Sequence, residues 1–357
     1  MEHVNISSIK INNNVFSQEM RKGLLARFDS VTLANYIITT DELEILSGQE
    51  LIEKAYKEGK KTLPLKRISV IKNTTNFPKR VLLELTSKCN SYCTMCPRNI
   101  LTREEKHMDT QLAKSVIKQL AEVGISGLWL YNIGESLLHP DFFEILDYCR
   151  SFDTLGTIWL STNGEIFDKN IQEKLLEYPV DILNYSVNAM SEDNYKKIAP
   201  NLDFYRVQNN LKNFVELKRQ ENKFKPVIRA QMIEFPDMNS EIHDFMDKYG
   251  DKVDIVSINK LELFSQNVCN DNSKETITNN KIKKCNRIDR EDFMIFSDGS
   301  VSCCDTDFNC TFNLGNVKES SISEIYNGKK YQDLIKKYQE GRLHEQELCS
   351  KCLDYNL

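Results

Sequence analysis

The middle of this 357-residue chain alternates between short apolar runs and amphipathic helical segments, and this alternation constrains its fold most strongly. Six apolar runs recur between residues 80 and 263, and all but the last lead into a segment with helical periodicity. Such units form a parallel sheet that is buried on both faces, and six of them favour an α/β fold of the partial (β/α)6 barrel type. The predicted strands are 81–85, 127–131, 157–160, 182–187, 226–232 and 253–258, and the predicted helices are 110–123, 141–149, 169–176, stretches within 191–220, and 241–249.

A cysteine triplet directly follows the first predicted strand. Cys89, Cys93 and Cys96 are separated by three and then two residues. Three thiolates on one loop can hold an iron–sulfur cluster and leave one iron open, and metal sites with an open position usually carry out chemistry there. A structural zinc ion is the alternative, but it normally needs a fourth nearby ligand, for which His107 is the candidate.

Polar side chains follow the second and third predicted strands in the same way. Residues 132–135 and 161–164 each come just after an apolar run. In parallel α/β sheets, ligands bind at the carboxyl ends of the strands. The sequence therefore predicts one site, built from the cysteine triplet and these two polar clusters.

A second group of cysteines lies near the C-terminus. The hairpin predicted over residues 293–303 turns at Asp298 and Gly299, and a helix is predicted over 320–338. A hairpin and one helix bury little core, so bound metal would supply much of the stability of this module. The cysteines of the group are Cys285, Cys303, Cys304, Cys349 and Cys352.

Composition narrows the class of protein. The formal net charge of −5 does not force a basic face, which argues against nucleic-acid binding. The first 22 residues lack the apolar core of a signal peptide and no run reaches membrane-spanning length, so a cytoplasmic protein without a membrane partner is expected. Eleven clustered cysteines favour metal or redox chemistry over disulfides.

From about residue 81 to residue 352 the chain resembles the radical S-adenosylmethionine (radical SAM) enzymes. Cys89, Cys93 and Cys96 match the family's Cys-x3-Cys-x-aromatic-Cys signature, with Met95 at the position that contacts the adenine of S-adenosylmethionine (SAM). The resemblance implies a TIM-like partial barrel and a [4Fe-4S] cluster on these cysteines, whose open iron binds SAM.

Other motifs of the family imply further SAM-binding residues. Gly134 and Glu135 resemble the Gly-Gly-Glu-Pro motif that holds the SAM amino group, although Ile133 and Ser136 replace its first glycine and its proline. The other positions implied for SAM are Ser161 and Asn163 in a Thr-Asn-Gly turn, Ser186 on the fourth strand, and Met232 at the end of the fifth.

The C-terminal module resembles the SPASM and Twitch domains of the same family. Cys285, Cys304, Cys349 and Cys352 match a pattern that implies a second, auxiliary [4Fe-4S] cluster. The Gly-x4-Cys spacing from Gly299 favours Cys304 over Cys303 as a ligand. No cysteine follows Cys352, so the expected form is the single-cluster Twitch domain.

The expected domains are an unassigned N-terminal extension (1–80), the radical SAM barrel (81–263) and the Twitch-like domain (264–357). Family resemblance implies a deoxyadenosyl radical that abstracts hydrogen, and an electron donor such as flavodoxin or ferredoxin. The expected reaction is oxidation of an alcohol to a ketone on a sugar- or cyclitol-like metabolite, with the auxiliary cluster taking an electron. The candidate catalytic residues are Arg229, Asp305 and Cys310.

Three alternatives remain open. A peptide-modifying radical SAM enzyme would epimerise or crosslink residues of a peptide substrate. A redox-neutral sugar epimerase would need a thiol that returns hydrogen, for which the candidates are Cys149, Cys269, Cys310 and the spare member of Cys303 and Cys304. A binding protein with structural zinc would contain no iron and would not cleave SAM.

Overall fold

The computed structural model describes residues 76–235, 238–261, 285–350 and 352. Almost all of the N-terminal extension therefore lies outside the described residues, as does Cys269. The strands in the described part are β1 (Arg80–Leu83), β2 (Gly127–Trp129), β3 (Thr157–Thr162), β4 (Ile182–Ser186), β5 (Val227–Glu234), β6 (Ile255–Lys260), β7 (Asp292–Ile295), β8 (Ser300–Ser302) and β9 (Gly315–Asn316).

Helices separate the strands as the sequence predicts. The α-helices are α1 (Thr110–Val123), α2 (Phe142–Arg150), α3 (Lys169–Glu177), α4 (Glu192–Ile198), α5 (Phe204–Gln220), α6 (Asn239–Tyr249), α7 (Asn286–Asp289), α8 (Ile322–Tyr326), α9 (Lys329–Gln339) and α10 (Glu347–Ser350). Short 3-10 helices span Pro97–Ile100, Ser136–Leu138 and Leu343–Glu345. None of the described helices is long and apolar enough to cross a membrane.

All the strands belong to one sheet in the order β6-β5-β4-β3-β2-β1-β7-β8-β9. The pairs from β6 to β1 are parallel, and β7 pairs with β1 in parallel as well. The predicted α/β fold is confirmed. The sequence did not reveal that the first strand of the C-terminal module extends the barrel sheet directly.

The two faces of the barrel sheet differ because side chains alternate along a strand. On the outer face, Leu160 and Leu183 pack in one cluster with helix residues such as Ile117 and Phe214. On the inner face, a separate cluster contains no helix residues. The buried members of this inner cluster are Trp129, Trp159, Ile182, Val227 and Ile255.

Side-chain caps begin several helices where the chain leaves a strand. Asp109 accepts a hydrogen bond from the backbone N–H of Leu112 at the start of α1, and Asp168 accepts one from Ile171 at the start of α3. Such caps satisfy N–H groups that have no partner within the helix. The polar loop residues thus fix where the chain turns from the sheet into each helix.

The predicted C-terminal hairpin is present, since β7 and β8 pair antiparallel around Asp298 and Gly299. Gly299 has a φ of +88°, which favours glycine in this turn. The helix predicted over 320–338 is instead two helices, because the chain leaves helical conformation at Asn327 and restarts at Gly328, the N-cap of α9.

Candidate active site

The cysteine loop, residues 89–96, begins shortly after β1, and polar groups of the loop contact its own sulfur atoms. Ser91 donates its backbone N–H to Cys89 Sγ at 3.4 Å, and its Oγ lies 2.9 Å from Cys93 Sγ. The backbone N–H of Cys96 donates to the Cys93 carbonyl at 3.0 Å. Polar donors at sulfur suit thiolate ligands, whose charge they stabilise.

Arg98 anchors the backbone of this loop, a role that was not predicted from the sequence. Its buried guanidinium donates to the Ser91 carbonyl at 2.9 Å and pairs with Glu105 at 2.5 Å. It also lies 4.9 Å from the centre of the Tyr92 ring. The only sequence signal was an arginine two residues beyond the last cysteine, which by itself does not distinguish a loop anchor from a surface charge.

The thiols of the loop fit a cluster that binds thiolates. Burial raises the pKa of Cys89 to about 12 and that of Cys96 to about 11. Iron binding supplies the positive charge that such buried thiolates need. Among the described residues, no group of three or more His, Cys, Asp and Glu side chains converges as a single metal ion would require. A four-iron cluster needs no such convergence, because each cysteine binds a different iron.

The loop after β2 packs directly on the loop after β1. Glu135 donates its backbone N–H to the Lys88 carbonyl at 2.9 Å. A Cβ on Gly134 would lie 2.0 Å from the Thr86 carbonyl oxygen, so this close approach requires glycine. Ile133 and Ser136, which replace the first glycine and the proline of the family motif, do not prevent this contact.

The Glu135 side chain is a buried carboxylate beside the cysteine loop, 2% exposed. Its oxygens accept hydrogen bonds from the backbone N–H groups of Asn163 at 2.8 Å and Leu137 at 3.3 Å. Burial raises its pKa to about 7, and these hydrogen bonds oppose the shift. No cationic side chain in the described part of the chain hydrogen-bonds to it, so the site suits a ligand that brings an amino group.

Asn163 links the third loop to the other two. Its Nδ2 donates to Asn90 Oδ1 at 2.8 Å and lies 3.8 Å from Cys89 Sγ. The next residue, Gly164, has a φ of +79°, and a Cβ there would lie 2.0 Å from Tyr185 Oη. The loops after β1, β2 and β3 thus meet, as the sequence predicts.

Four other residues were predicted to bind SAM. Two of them lie on the inner face of the sheet, and the other two are packed in the outer-face core. Ser161 and Ser186 are half-buried inner-face residues of β3 and β4. Met95 is packed within the outer-face core cluster. Met232 is fully buried in that same cluster, so the structure does not bring its side chain together with the inner-face serines. Strand alternation turns the side chain of Gln231, and not of Met232, to the face that carries Ser186.

Asn188 is a second residue that the sequence reasoning missed. It follows β4, is buried, and has a φ of +62°, a conformation that asparagine tolerates better than most residues. Its Oδ1 is buried without a hydrogen-bond partner among the described residues. Buried polar atoms normally have partners, so this atom fits a bound ligand with a donor group.

The C-terminal cysteines form one neighbourhood around the β7–β8 hairpin. Burial raises the pKa of Cys303 well above its ordinary value, and the neighbouring Cys304, Cys349 and Cys285 raise it further. Burial also raises the pKa of Cys304, and Asp305 and Cys352 add to this shift. Cys303 thus lies near Cys285, Cys304 and Cys349, and Cys304 lies near Cys352, which suits a second cluster.

Of the three candidate catalytic residues, Asp305 is held by an ion pair. It pairs with Arg287. Burial acts to raise its pKa, but Arg287 and then Arg290 outweigh burial and hold the pKa below its ordinary value. A carboxylate neutralised in this way is a poor proton acceptor for a substrate.

Cys310 and Arg229 both lie on the inner side of the sheet. Cys310 packs with Met294 and Phe296, and Leu82 of the inner face contacts the same cluster. Burial raises the pKa of Cys310 to about 12. Arg229 donates from Nη2 to Ser257 Oγ at 2.6 Å.

A buried ion pair joins the barrel to the C-terminal module. Arg103 pairs through two nitrogens with the fully buried Glu84, at 3.0 Å each, and donates from Nε to the Phe308 carbonyl at 2.7 Å. Glu84 also accepts from the backbone N–H of Ser297 at 3.1 Å, beyond β7. Asn132 Nδ2 donates to the same carboxylate at 3.3 Å. This pair connects the ends of β1, β2 and β7, and no local sequence pattern indicated it.

Two family models match the chain. The model described as the radical SAM superfamily matches residues 83–228, and the model described as an iron–sulfur cluster-binding (SPASM) domain matches residues 285–353. Together they cover more than half of the chain and include both groups of predicted cluster ligands.

Characterised relatives match over a limited region. A GTP 3',8-cyclase of Chlorobaculum tepidum is 26% identical over 119 residues, 33% of this chain and 36% of that protein. An AdoMet-dependent heme synthase of Methanosarcina barkeri is 33% identical over 133 residues, 34% of this chain and 35% of that protein. The match therefore spans about a third of the length of these curated relatives.

Solved structures share the fold over a larger part of the chain. BtrN, in complex with AdoMet and 2-DOIA, is 17% identical with a TM-score of 0.53, covering 77% of this chain and 92% of BtrN. SuiB of Streptococcus suis, bound to precursor peptide SuiA, is 14% identical with a TM-score of 0.57, covering 90% of this chain and 79% of SuiB. At these identities the likeness establishes the fold.

Proposed function

The chain belongs to the radical SAM superfamily and carries a SPASM domain, and from this we propose that it oxidises a secondary alcohol of a sugar- or cyclitol-like small molecule to a ketone. A radical SAM enzyme uses a [4Fe-4S] cluster and SAM, which when bound supply a 5′-deoxyadenosyl radical that abstracts hydrogen from carbon. The residues of this chain bind and orient these groups and exclude water.

We assign the first cluster to Cys89, Cys93 and Cys96. The buried carboxylate of Glu135 accepts hydrogen bonds from the SAM amino group, which replaces the cationic partner that the carboxylate otherwise lacks among the described residues. Asn163 orients that carboxylate through its backbone N–H. The partnerless Oδ1 of Asn188 accepts a hydrogen bond from a hydroxyl of the adenosyl group.

The observation that carries the proposed oxidation is the direct pairing of β1 with β7. The cysteine loop follows the carboxyl end of β1. Cys303 and Cys304 follow β8, which runs antiparallel to β7 and ends beside the amino ends of β7 and β1, so the two cysteine groups lie at opposite ends of this strand pair. A substrate between them has an electron acceptor within the protein after it has lost hydrogen.

One electron would enter from a donor such as flavodoxin or ferredoxin, and bound SAM would supply methionine and the radical. The alcohol carbon would lose a hydrogen atom to give 5′-deoxyadenosine, and its hydroxyl would lose a proton. A cluster held by the C-terminal cysteines would accept the remaining electron of the substrate, and the product would be a ketone.

The test uses anaerobically reconstituted enzyme, a chemical reductant and alcohols deuterated at the carbinol carbon. The proposal expects deuterium in 5′-deoxyadenosine and one ketone formed for each SAM consumed. A product that regains hydrogen at the same carbon would identify a redox-neutral epimerase. Absence of SAM cleavage in cluster-loaded enzyme would overturn the proposal as a whole.

A peptide substrate is the second candidate, and the likeness to SuiB bound to precursor peptide SuiA supports it. Peptides offered under the same conditions would then stimulate SAM cleavage, and their modified residues would be found by mass spectrometry. Stimulation by a peptide and not by polyols would replace the first proposal with this one.

A further inference from the structure

Ser91, in the middle of the cysteine loop, contacts two of the three sulfur atoms that we assign to the first cluster. The residue is buried, with 3% of its surface exposed. Its Oγ lies 2.9 Å from Cys93 Sγ, and its backbone N–H donates to Cys89 Sγ at 3.4 Å. A thiolate bound to iron has no proton to donate, so the hydroxyl is the donor in the contact with Cys93. One residue therefore supplies hydrogen-bond donors to both of these ligands.

Two neighbouring N–H groups of the loop bond to oxygen atoms instead of sulfur. The backbone N–H of Tyr92 donates to Asn201 Oδ1 at 2.9 Å, and that of Thr94 donates to the Ile198 carbonyl at 2.8 Å. The end of α4 and the segment that follows it thus hold this side of the loop. They also direct two of its donors away from the sulfur atoms, which makes the donors of Ser91 more important to them.

The backbone of Ser91 is itself fixed by a buried side chain. Arg98 donates from Nη1 to the Ser91 carbonyl at 2.9 Å, and its guanidinium is ion-paired with Glu105. Asn163, from the loop after β3, adds a longer contact of 3.8 Å from its Nδ2 to Cys89 Sγ. A hydrogen bond from a residue held in this way keeps its geometry, so its effect on the sulfur atom persists.

We propose that the Ser91 hydroxyl raises the reduction potential of the first cluster. Reduction adds a negative charge that the ligand sulfur atoms share, so a hydrogen bond to sulfur stabilises the reduced state more than the oxidised one. The hydroxyl thus allows a weaker electron donor to reduce the cluster. Because it acts through a ligand, Ser91 is a positioning residue. This inference rests on the proposed assignment of the first cluster to Cys89, Cys93 and Cys96, and it concerns the entry of the electron.

The test is a redox titration of the anaerobic, cluster-loaded enzyme without SAM, followed by electron paramagnetic resonance. The signal of the first cluster is identified as the one that changes when SAM is added to a separate sample. Ser91→Ala should lower the equilibrium constant for reduction of this cluster about 10-fold, which corresponds to about 59 mV for one electron. Ser91→Thr keeps the hydroxyl and should restore most of the potential. Ser87→Ala is the matched control and should change the constant less than about 2-fold, because that buried hydroxyl donates to the Lys106 carbonyl at 3.3 Å.

A second readout compares SAM cleavage with two reductants, a flavodoxin and titanium(III) citrate. Cleavage by Ser91→Ala should fall with flavodoxin, and the stronger chemical reductant should restore it. The inference is overturned if the potential of Ser91→Ala is unchanged, or if Ser91→Thr shifts the potential as far as alanine does. Loss of iron in Ser91→Ala, or an equal loss of cleavage with both reductants, would assign Ser91 a structural role and overturn it as well. Neither readout uses the alcohol substrate, so failure here is distinct from failure of the proposed oxidation.

Discussion

At the scale of single residues, Glu135 is the buried carboxyl group whose ionisation is most directly affected by its environment. Its pKa is raised to about 7 by burial, against an ordinary value of 4.5. The carboxylate is therefore protonated in much of the free enzyme below neutral pH, and a protonated acid accepts hydrogen bonds from an amino group poorly.

SAM affinity should depend on this ionisation. We expect the dissociation constant for SAM in the cluster-loaded enzyme to fall as pH rises through about 7, by up to about tenfold per pH unit below that value. Glu135→Gln should weaken binding about 10- to 100-fold above the pKa and remove this pH dependence, since the amide does not titrate. Equilibrium dialysis at several pH values measures both effects. An unchanged pH profile in Glu135→Gln would show that another group is responsible.

Arg98 makes a second prediction at this scale. Arg98→Met removes the hydrogen bond to the Ser91 carbonyl and the ion pair with Glu105, so the cysteine loop should loosen. We expect the first cluster to be lost to a chelator several-fold faster, with SAM cleavage falling in proportion to retained iron. The exposed Lys118→Met on α1 is the control. Equal rates of iron loss in the two variants would contradict the assignment of Arg98 as a loop anchor.

The role of Glu135 could be predicted from the sequence, whereas the roles of Arg98 and Asn188 could not. Glu135 was predicted because it lies in a motif directly after a strand, and local spacing preserves such a signal. Arg98 and Asn188 were missed because their importance depends on burial and on backbone conformation. Neither property can be read from an arginine or an asparagine in a polar loop.

At the scale of elements, the buried pair of Glu84 and Arg103 links the end of β1 to the C-terminal module, since Glu84 accepts a hydrogen bond from Ser297 and Arg103 donates one to the Phe308 carbonyl. Removing one partner leaves the other charge buried, which costs about 3–5 kcal/mol in typical cases. Glu84→Gln and Arg103→Met should therefore each lower the stability of the cluster-loaded protein strongly. The double variant should be less destabilised than the sum of the two, because no lone charge remains.

Denaturant unfolding under anaerobic conditions provides this double-mutant cycle. The matched control is the exposed pair of Lys118 and Glu122 on α1, whose removal should change stability by less than about 0.5 kcal/mol. Additive effects at Glu84 and Arg103 would contradict a direct coupling of the two side chains.

The strands and helices of the barrel could be predicted because each carries its own periodicity. The break between α8 and α9 was missed, although Asn327 and Gly328 mark it, because the amphipathic pattern continues on both sides. The pairing of β7 with β1 was missed for a different reason. It joins segments about 200 residues apart, and no local pattern encodes the partner of a strand.

At the scale of the whole molecule, the chain contains two groups of cysteines, and mutation should remove the cluster of either group without removing the other. Cys349→Ala/Cys352→Ala should remove about four irons and abolish ketone formation, while SAM cleavage is retained. Cys89→Ala should abolish SAM cleavage and leave the C-terminal cluster in place. Iron analysis and the yield of 5′-deoxyadenosine measure both results. Unchanged iron in the double variant would contradict a C-terminal cluster.

The choice between Cys303 and Cys304 is then decided by the same assay. Cys303 packs in the outer-face core with Val301, and Cys285, Cys349 and Cys352 pack against the same cluster, so core packing alone does not separate Cys303 from the cluster ligands. Cys304 lies outside that cluster, 3.1 Å from Thr306 Oγ1, and its spacing from Gly299 matches the family pattern. We therefore expect Cys304→Ala to lose the C-terminal irons, and Cys303→Ala to keep them with a modest loss of stability from the cavity it creates. The opposite result would make Cys303 the ligand, and the strand would then present its metal-binding side chain on the face that also packs against the helices.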